Sequence, residues 1–194
     1  MEEQELTDRI CYLFDQTLPI LKDTYKGFAG QKLNLLKESR SKFRELWKNR
    51  LPAVEKLIED KDKNEAEKKF VYLLPHLQRI ALANDNLVDK MEVKIEMHAF
   101  LSSKAIDEIK QLMVAVGAEF TNVKDYLITK NPALKEQIHM DMEKIKKMAD
   151  DFEIIHQNRL ILGECTPKAS FLYVDMVDSL KRMAKELGAF ADKA

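Results

Sequence analysis

The stretch HQNRLILGECTPKASFLYVDMVDSLKRMAK, His156 to Lys185, decides the fold. Up to Leu162 its apolar residues recur at helical steps, and Gly163 then supplies a stop. Thr166-Pro167 pairs a capping hydroxyl with the residue whose fixed φ suits the first helical position. Leu172, Met176, Leu180 and Met183 resume the stripe at steps of three and four. The stretch therefore reads as helix, short turn, helix, with Lys181 and Lys185 one turn apart on the second helix.

The same start and stop chemistry marks the rest of the chain. Asn64 followed by Glu67 makes a capping-box pattern, Asn131-Pro132 repeats the cap-plus-proline start, and Ser102-Ser103 opens a helix with Asp107 and Glu108 near its positive end. Gly27 and Gly30 close the first segment. Six helices are predicted near 4–26, 31–60, 65–99, 103–130, 132–162 and 167–192. Each carries one apolar stripe, such as Leu36, Phe43, Trp47, Val54 and Leu57 in the second or Phe70, Leu73, Leu77, Ile80, Leu87 and Met91 in the third. Pro19, Pro52 and Pro75 fall inside these spans and are expected to kink or interrupt them.

The bulk numbers agree with an all-α chain. Of 194 residues, 45% are hydrophobic and 34% charged, with only five Gly and five Pro, so helix formers dominate and strand punctuation is scarce. A formal net charge of −1 removes the basic excess that nucleic-acid binding needs. Cys11 and Cys165 have no CxxC spacing and suit free thiols in a reducing compartment, so a cytoplasmic location is expected. The longest apolar run, LMVAVGA, is too short to span a bilayer, which takes about 20 helical residues, and the acidic start MEEQELTD does not read as a signal peptide.

Leu77-Gln78-Arg79-Ile80 and Leu180-Lys181-Arg182-Met183 are offset by 103 positions, and Lys22-Asp23 and Lys124-Asp125 by 102. The near-constant offset implies an internal duplication: a three-helix unit over 1–100 and a second over 101–194, packed as two tandem three-helix bundles.

His156, Arg159-Leu160, Gly163, Cys165-Thr166-Pro167 and Leu180-Lys181-Arg182-Met183-Ala184 resemble the helix-turn-helix end of PhoU-like domains, which runs roughly "H..RL..G.C.P" and then "LERIGDH". HLQRIALAND stands in the corresponding place of the first half. The same domain type resembles the cytoplasmic tail of bacterial sodium/phosphate cotransporters. The resemblance implies a non-enzymatic regulator of phosphate transport or signalling, cytoplasmic or peripheral at the inner face of the membrane. Its implied partners are a membrane phosphate transporter or a sensor histidine kinase, with an anionic membrane surface and a second copy of the chain as further candidates, and no nucleic acid. Many PhoU-like domains bind iron or zinc through acid-xxx-acid motifs. Their carboxylates would fall here on Gln78 and Leu82, and on Lys181 and Lys185. Protonated lysines offer a cation no lone pair, so the expectation is that the metal site is lost and that no cofactor is bound.

Other readings compete for individual residues. Asp85 and Asp89 keep an acid-xxx-acid spacing one heptad beyond Gln78 and Leu82, and form the fallback metal pair. The plainer reading is a solvated face with two screened charges. Glu136-x-x-His139 and Glu153-x-x-His156 match half of a di-iron carboxylate motif, yet both lie on one helix, 17 residues or about 25 Å apart, and cannot share a centre. Both histidines are expected at the surface or its boundary, and His76 and His98 have no visible partner. No nucleophile stands beside an evident base, and no glycine-rich phosphate loop occurs, so no catalytic residue is assigned. The Asn84-Asp85-Asn86 cluster is expected to form a polar layer between the two bundles.

KLNLLKESRSKFRELWKNR carries seven Lys or Arg against two Glu, with Leu36, Phe43 and Trp47 on the opposing side. This basic amphipathic helix can meet an acidic partner or anionic headgroups, or simply pack its apolar side in the first bundle. Lys32, Arg40, Lys42, Arg44, Lys48 and Arg50 are the predicted contact residues. A metal-binding bundle with iron or zinc, and a membrane-peripheral adaptor unrelated to phosphate, remain the alternatives.

Overall fold

A computed structural model describes residues 3–50 and 65–194, the side chain of Arg50 excepted. Among them are six helices and no strand: α1 (Glu3–Ala29), α2 (Leu33–Arg50), α3 (Glu65–Glu96), α4 (Ser103–Thr129), α5 (Pro132–Ile161) and α6 (Pro167–Lys193). The all-α reading holds, with boundaries within a few residues of those expected. Asn64, Pro52, Val54, Leu57 and the 51–60 part of the second predicted helix lie outside the described residues.

Helix starts follow local chemistry. Ser102, Asn131 and Thr166 sit in extended backbone and accept from the N–H groups of Ala105, Ala133 and Ala169 at 3.2, 3.0 and 3.3 Å. Each satisfies a donor that the first turn leaves unpaired. The stops of α1, α3 and α5 share one device. Lys32, Ala99 and Glu164 donate five residues back to Gly27, Lys94 and Arg159 at 2.8, 2.9 and 2.9 Å, around left-handed residues Gln31, His98 and Gly163. Only the last of these turns uses glycine at the left-handed position. Gly27 lies inside α1 instead, where an added Cβ would stand 3.0 Å from Leu36, so it lets α1 and α2 approach closely. Pro19 and Pro75 do not interrupt their helices; α1 and α3 each run through.

Within each half the three helices touch one another, and the halves meet along α1–α4 and, most extensively, along α3–α6. The apolar side chains form one continuous core. Phe14 of α1 meets the rings of Phe120 of α4 and Phe190 of α6 edge-on, at 5.1 and 5.7 Å. Such pairs add about 0.5–1.5 kcal/mol each beyond their burial. Trp47 stacks on Phe43 at 5.0 Å, and its indole N–H donates to Thr17 at 3.0 Å. Both rings are buried, so the apolar side of α2 is core.

Candidate functional site

On the basic face of α2, most of the cations already have partners. Arg40 donates Nε and Nη2 to the two oxygens of Asp85 at 2.9 and 2.8 Å, and Nη1 to Glu92 at 2.9 Å. Arg44 adds two bonds to Asp85, at 2.6 and 2.8 Å. Lys42 pairs with Glu38 at 2.7 Å. Lys32 and Lys48 are exposed. The structure thus separates five of the six predicted contact residues: Lys32, Lys42 and Lys48 face water, while Arg40 and Arg44 hold α2 to α3; the side chain of Arg50 lies outside the described residues.

The same contacts revise the fallback metal pair. Asp85 is not a screened surface acid. Two guanidinium groups hold it well below the usual carboxylate range, and Asp89 lies 3.6 Å from Arg40. Nor does Asp85 belong to a layer between the halves, since its partners lie on α2 of its own half. Among the described residues, no group of three His, Cys, Asp or Glu is arranged to hold a metal ion.

The α3–α6 seam is where the resemblance would place metal ligands. Gln78 and Leu82 are exposed on α3. Lys181 donates to Asp150 of α5, which favours its charged form, and Lys185 is exposed. Arg79, Leu82, Lys181, Arg182 and Lys185 line a cleft of about 470 Å³ together with Asp178 and Glu186. Glu186 also binds His76 Nδ1 at 2.8 Å and Arg79 at 3.5 Å, so His76 does have a partner. Four cations stand against two acids here, an arrangement that repels a metal ion.

A third constellation lies where α4 begins, α5 ends and α6 begins. Arg159 grips Glu108 through two bonds, at 2.9 and 2.6 Å, and the Tyr173 hydroxyl donates to the same carboxylate at 2.6 Å. Tyr173 stacks on His156 at 4.3 Å, and His156 Nε2 meets the Ser170 hydroxyl at 2.7 Å. His156 is 1% exposed, a correction to its expected surface or boundary position. Burial and the neighbouring Arg159 charge lower its pKa and keep its ring neutral. The motif residues His156 and Arg159 are therefore buried struts tying three helix ends together. His139, by contrast, lies half-buried against Asp192 at 2.9 Å.

These struts bring the 97–102 and 162–166 connections to one end of the bundle. There Phe100, Ile161, Leu162 and Phe171 are 70%, 81%, 71% and 75% exposed. Leu162 is a correction: the sequence places it on the buried stripe of the fifth helix, but the helix ends at Ile161 and leaves it in the connection, while Phe100, Ile161 and Phe171 fall on no expected stripe. No family model, curated protein or solved structure matches the chain.

Proposed function

We propose that this protein is a non-enzymatic helical regulator that works by contact with a membrane transporter or sensor kinase, and that phosphate uptake is its setting. The observation that carries the contact reading is the apolar end of the bundle. Four large apolar side chains are left in water at that end, each at least 70% exposed, which supports the reading of a surface that a partner covers. The phosphate setting rests on the resemblance of residues 156–185 to PhoU-like domains, and the cationic α3–α6 seam supports a role without a metal cluster there.

Deleting the gene and following labelled-phosphate uptake at low and high external phosphate tests the setting. The expected result is a changed uptake rate or a lost response to external phosphate, restored by the wild-type gene but not by a Phe100→Glu/Phe171→Glu variant. Uptake identical with and without the gene would contradict the phosphate reading. Full rescue by the double variant would contradict the choice of surface.

A further inference from the structure

Gly117 sits in the middle of α4, where glycine costs about 1 kcal/mol relative to alanine. Gly27 and Gly188 earn no such question: a Cβ there would stand 3.0 Å from Leu36 or 2.6 Å from the Met142 sulfur. At Gly117 the nearest atom to an added Cβ is Leu18 Cδ2 at 3.8 Å, an ordinary contact, so packing does not demand glycine. The missing side chain instead deepens a cleft of about 500 Å³ between α1 and α4. Its walls are Leu18, Leu21 and Tyr25 on one helix and Met113, Val114 and Gly117 on the other, and its lining is almost wholly apolar. That size and character fall within the range of small-molecule pockets, roughly 300–1,000 Å³.

The charges around the cleft are all of one sign: Lys22, Lys26 and Lys110 line it and no carboxylate does. Lys26 is paired with Asp23 at 2.9 Å, while Lys22 and Lys110 are exposed, with the Lys110 ammonium 5.9 Å from the centre of the Tyr25 ring. The cations run from the middle of the cleft to one end. Lys110 and Lys26 flank Tyr25, Lys22 lies one turn away, and the Leu18–Gly117 end is uncharged. An apolar trough with cations toward one end is complementary to a single chain bearing one anionic head.

We infer that the α1–α4 cleft binds one free long-chain carboxylate, its tail against Leu18, Met113 and the Gly117 gap and its head between Lys22 and Lys110. The inference stands apart from the proposed contact surface and uses none of its residues.

Titration of the full chain with cis-parinaric acid, a fluorescent fatty acid, tests it, with dodecanoate, dodecanol and anionic phospholipid vesicles as competitors. The expected result is saturable binding at one site, displaced by dodecanoate at least tenfold better than by dodecanol. Vesicles should not compete. Gly117→Leu, which fills the gap, should weaken binding more than tenfold while leaving the helical circular dichroism unchanged. Lys22→Glu/Lys110→Glu, at two exposed positions, should weaken it about tenfold and decides the matter should the leucine variant fold poorly. Absence of saturable binding, affinity unaltered in the charge variant, or uptake of the probe only with vesicles would overturn the inference.

Discussion

Arg40 clasps Asp85 across the α2–α3 interface through two parallel hydrogen bonds, and the same arginine reaches Glu92 with its remaining nitrogen. The pair is mostly shielded from water, whereas Arg44, on the same carboxylate, is 59% exposed. Arg40→Ala should therefore cost roughly 2 kcal/mol, below the 3–5 of a fully buried pair, and Arg44→Ala less than about 1. Because Asp85 is held below its usual range, this stabilisation is present at neutral pH and fades as acid protonates it. Urea unfolding of both variants at pH 7 and at about pH 2.5, below the ordinary aspartate range, measures the difference, and equal losses from the two substitutions at pH 7 would contradict the assignment.

Guanidinium groups on both oxygens of Asp85 leave it no lone pairs aimed at a cation. The thermal midpoint of the purified protein is expected to be unmoved by chelator or by added zinc or ferrous iron. A zinc-dependent rise abolished by Asp85→Ala would count against this.

Arg159 and Glu108 form a bidentate pair in which both side chains are about nine-tenths buried. Arg159→Ala leaves a buried carboxylate with only the Tyr173 hydroxyl, a change expected to cost about 3–5 kcal/mol. At 2–4 °C per kcal/mol for a chain of this size, the thermal midpoint should fall by roughly 10 °C. Arg159→Met/Glu108→Leu, which removes both charges, should lose much less.

Glu119 is 1% exposed on α4, and neither of its oxygens has a donor in good geometry, the neighbouring Asn122 amide being turned toward Asp141 at 3.4 Å. Burial, aided by the Asp141 charge, pushes its pKa up to about 8. A raised folded-state value means that stabilisation is full below the ordinary glutamate range and is lost as pH climbs toward about 8. Glu119→Gln should flatten that decline between pH 5 and 8 and stabilise the protein at pH 8 by an amount on the order of 2 kcal/mol. Denaturant midpoints across this range measure it, and a parallel decline in the variant would remove Glu119 as the cause.

What could be read in advance was what local chemistry writes. Ser102, Asn131-Pro132, Thr166-Pro167 and Gly163 each act on the backbone within a few residues, and the structure uses them as starts and a stop. The stop of α1 was legible in Gly27 and Gly30, although the left-handed residue is Gln31, whereas the left-handed turn at His98 carries no glycine to announce it. Side-chain roles depended on what lay across an interface. Asp85 and Asp89 looked like a free acid pair until Arg40, 45 residues away from Asp85, filled the space. His156 looked peripheral because its partners, Ser170 and Tyr173, lie on the next helix. The exposed apolar residues at that end were not read together for the same reason, Phe100 lying far before Ile161, Leu162 and Phe171 in sequence.

The partner proposed for the end bearing Phe100 and Phe171 is a membrane transporter or sensor kinase. A photoactivatable amino acid placed at Phe171 in intact cells, with Lys48 on the basic face of α2 as the comparison position, tests it most directly. The expected result is an adduct at Phe171 whose partner, identified by mass spectrometry, is a membrane transport or sensor-kinase subunit, and little or none at Lys48. An adduct formed from Lys48 alone, or none from either position, would contradict it.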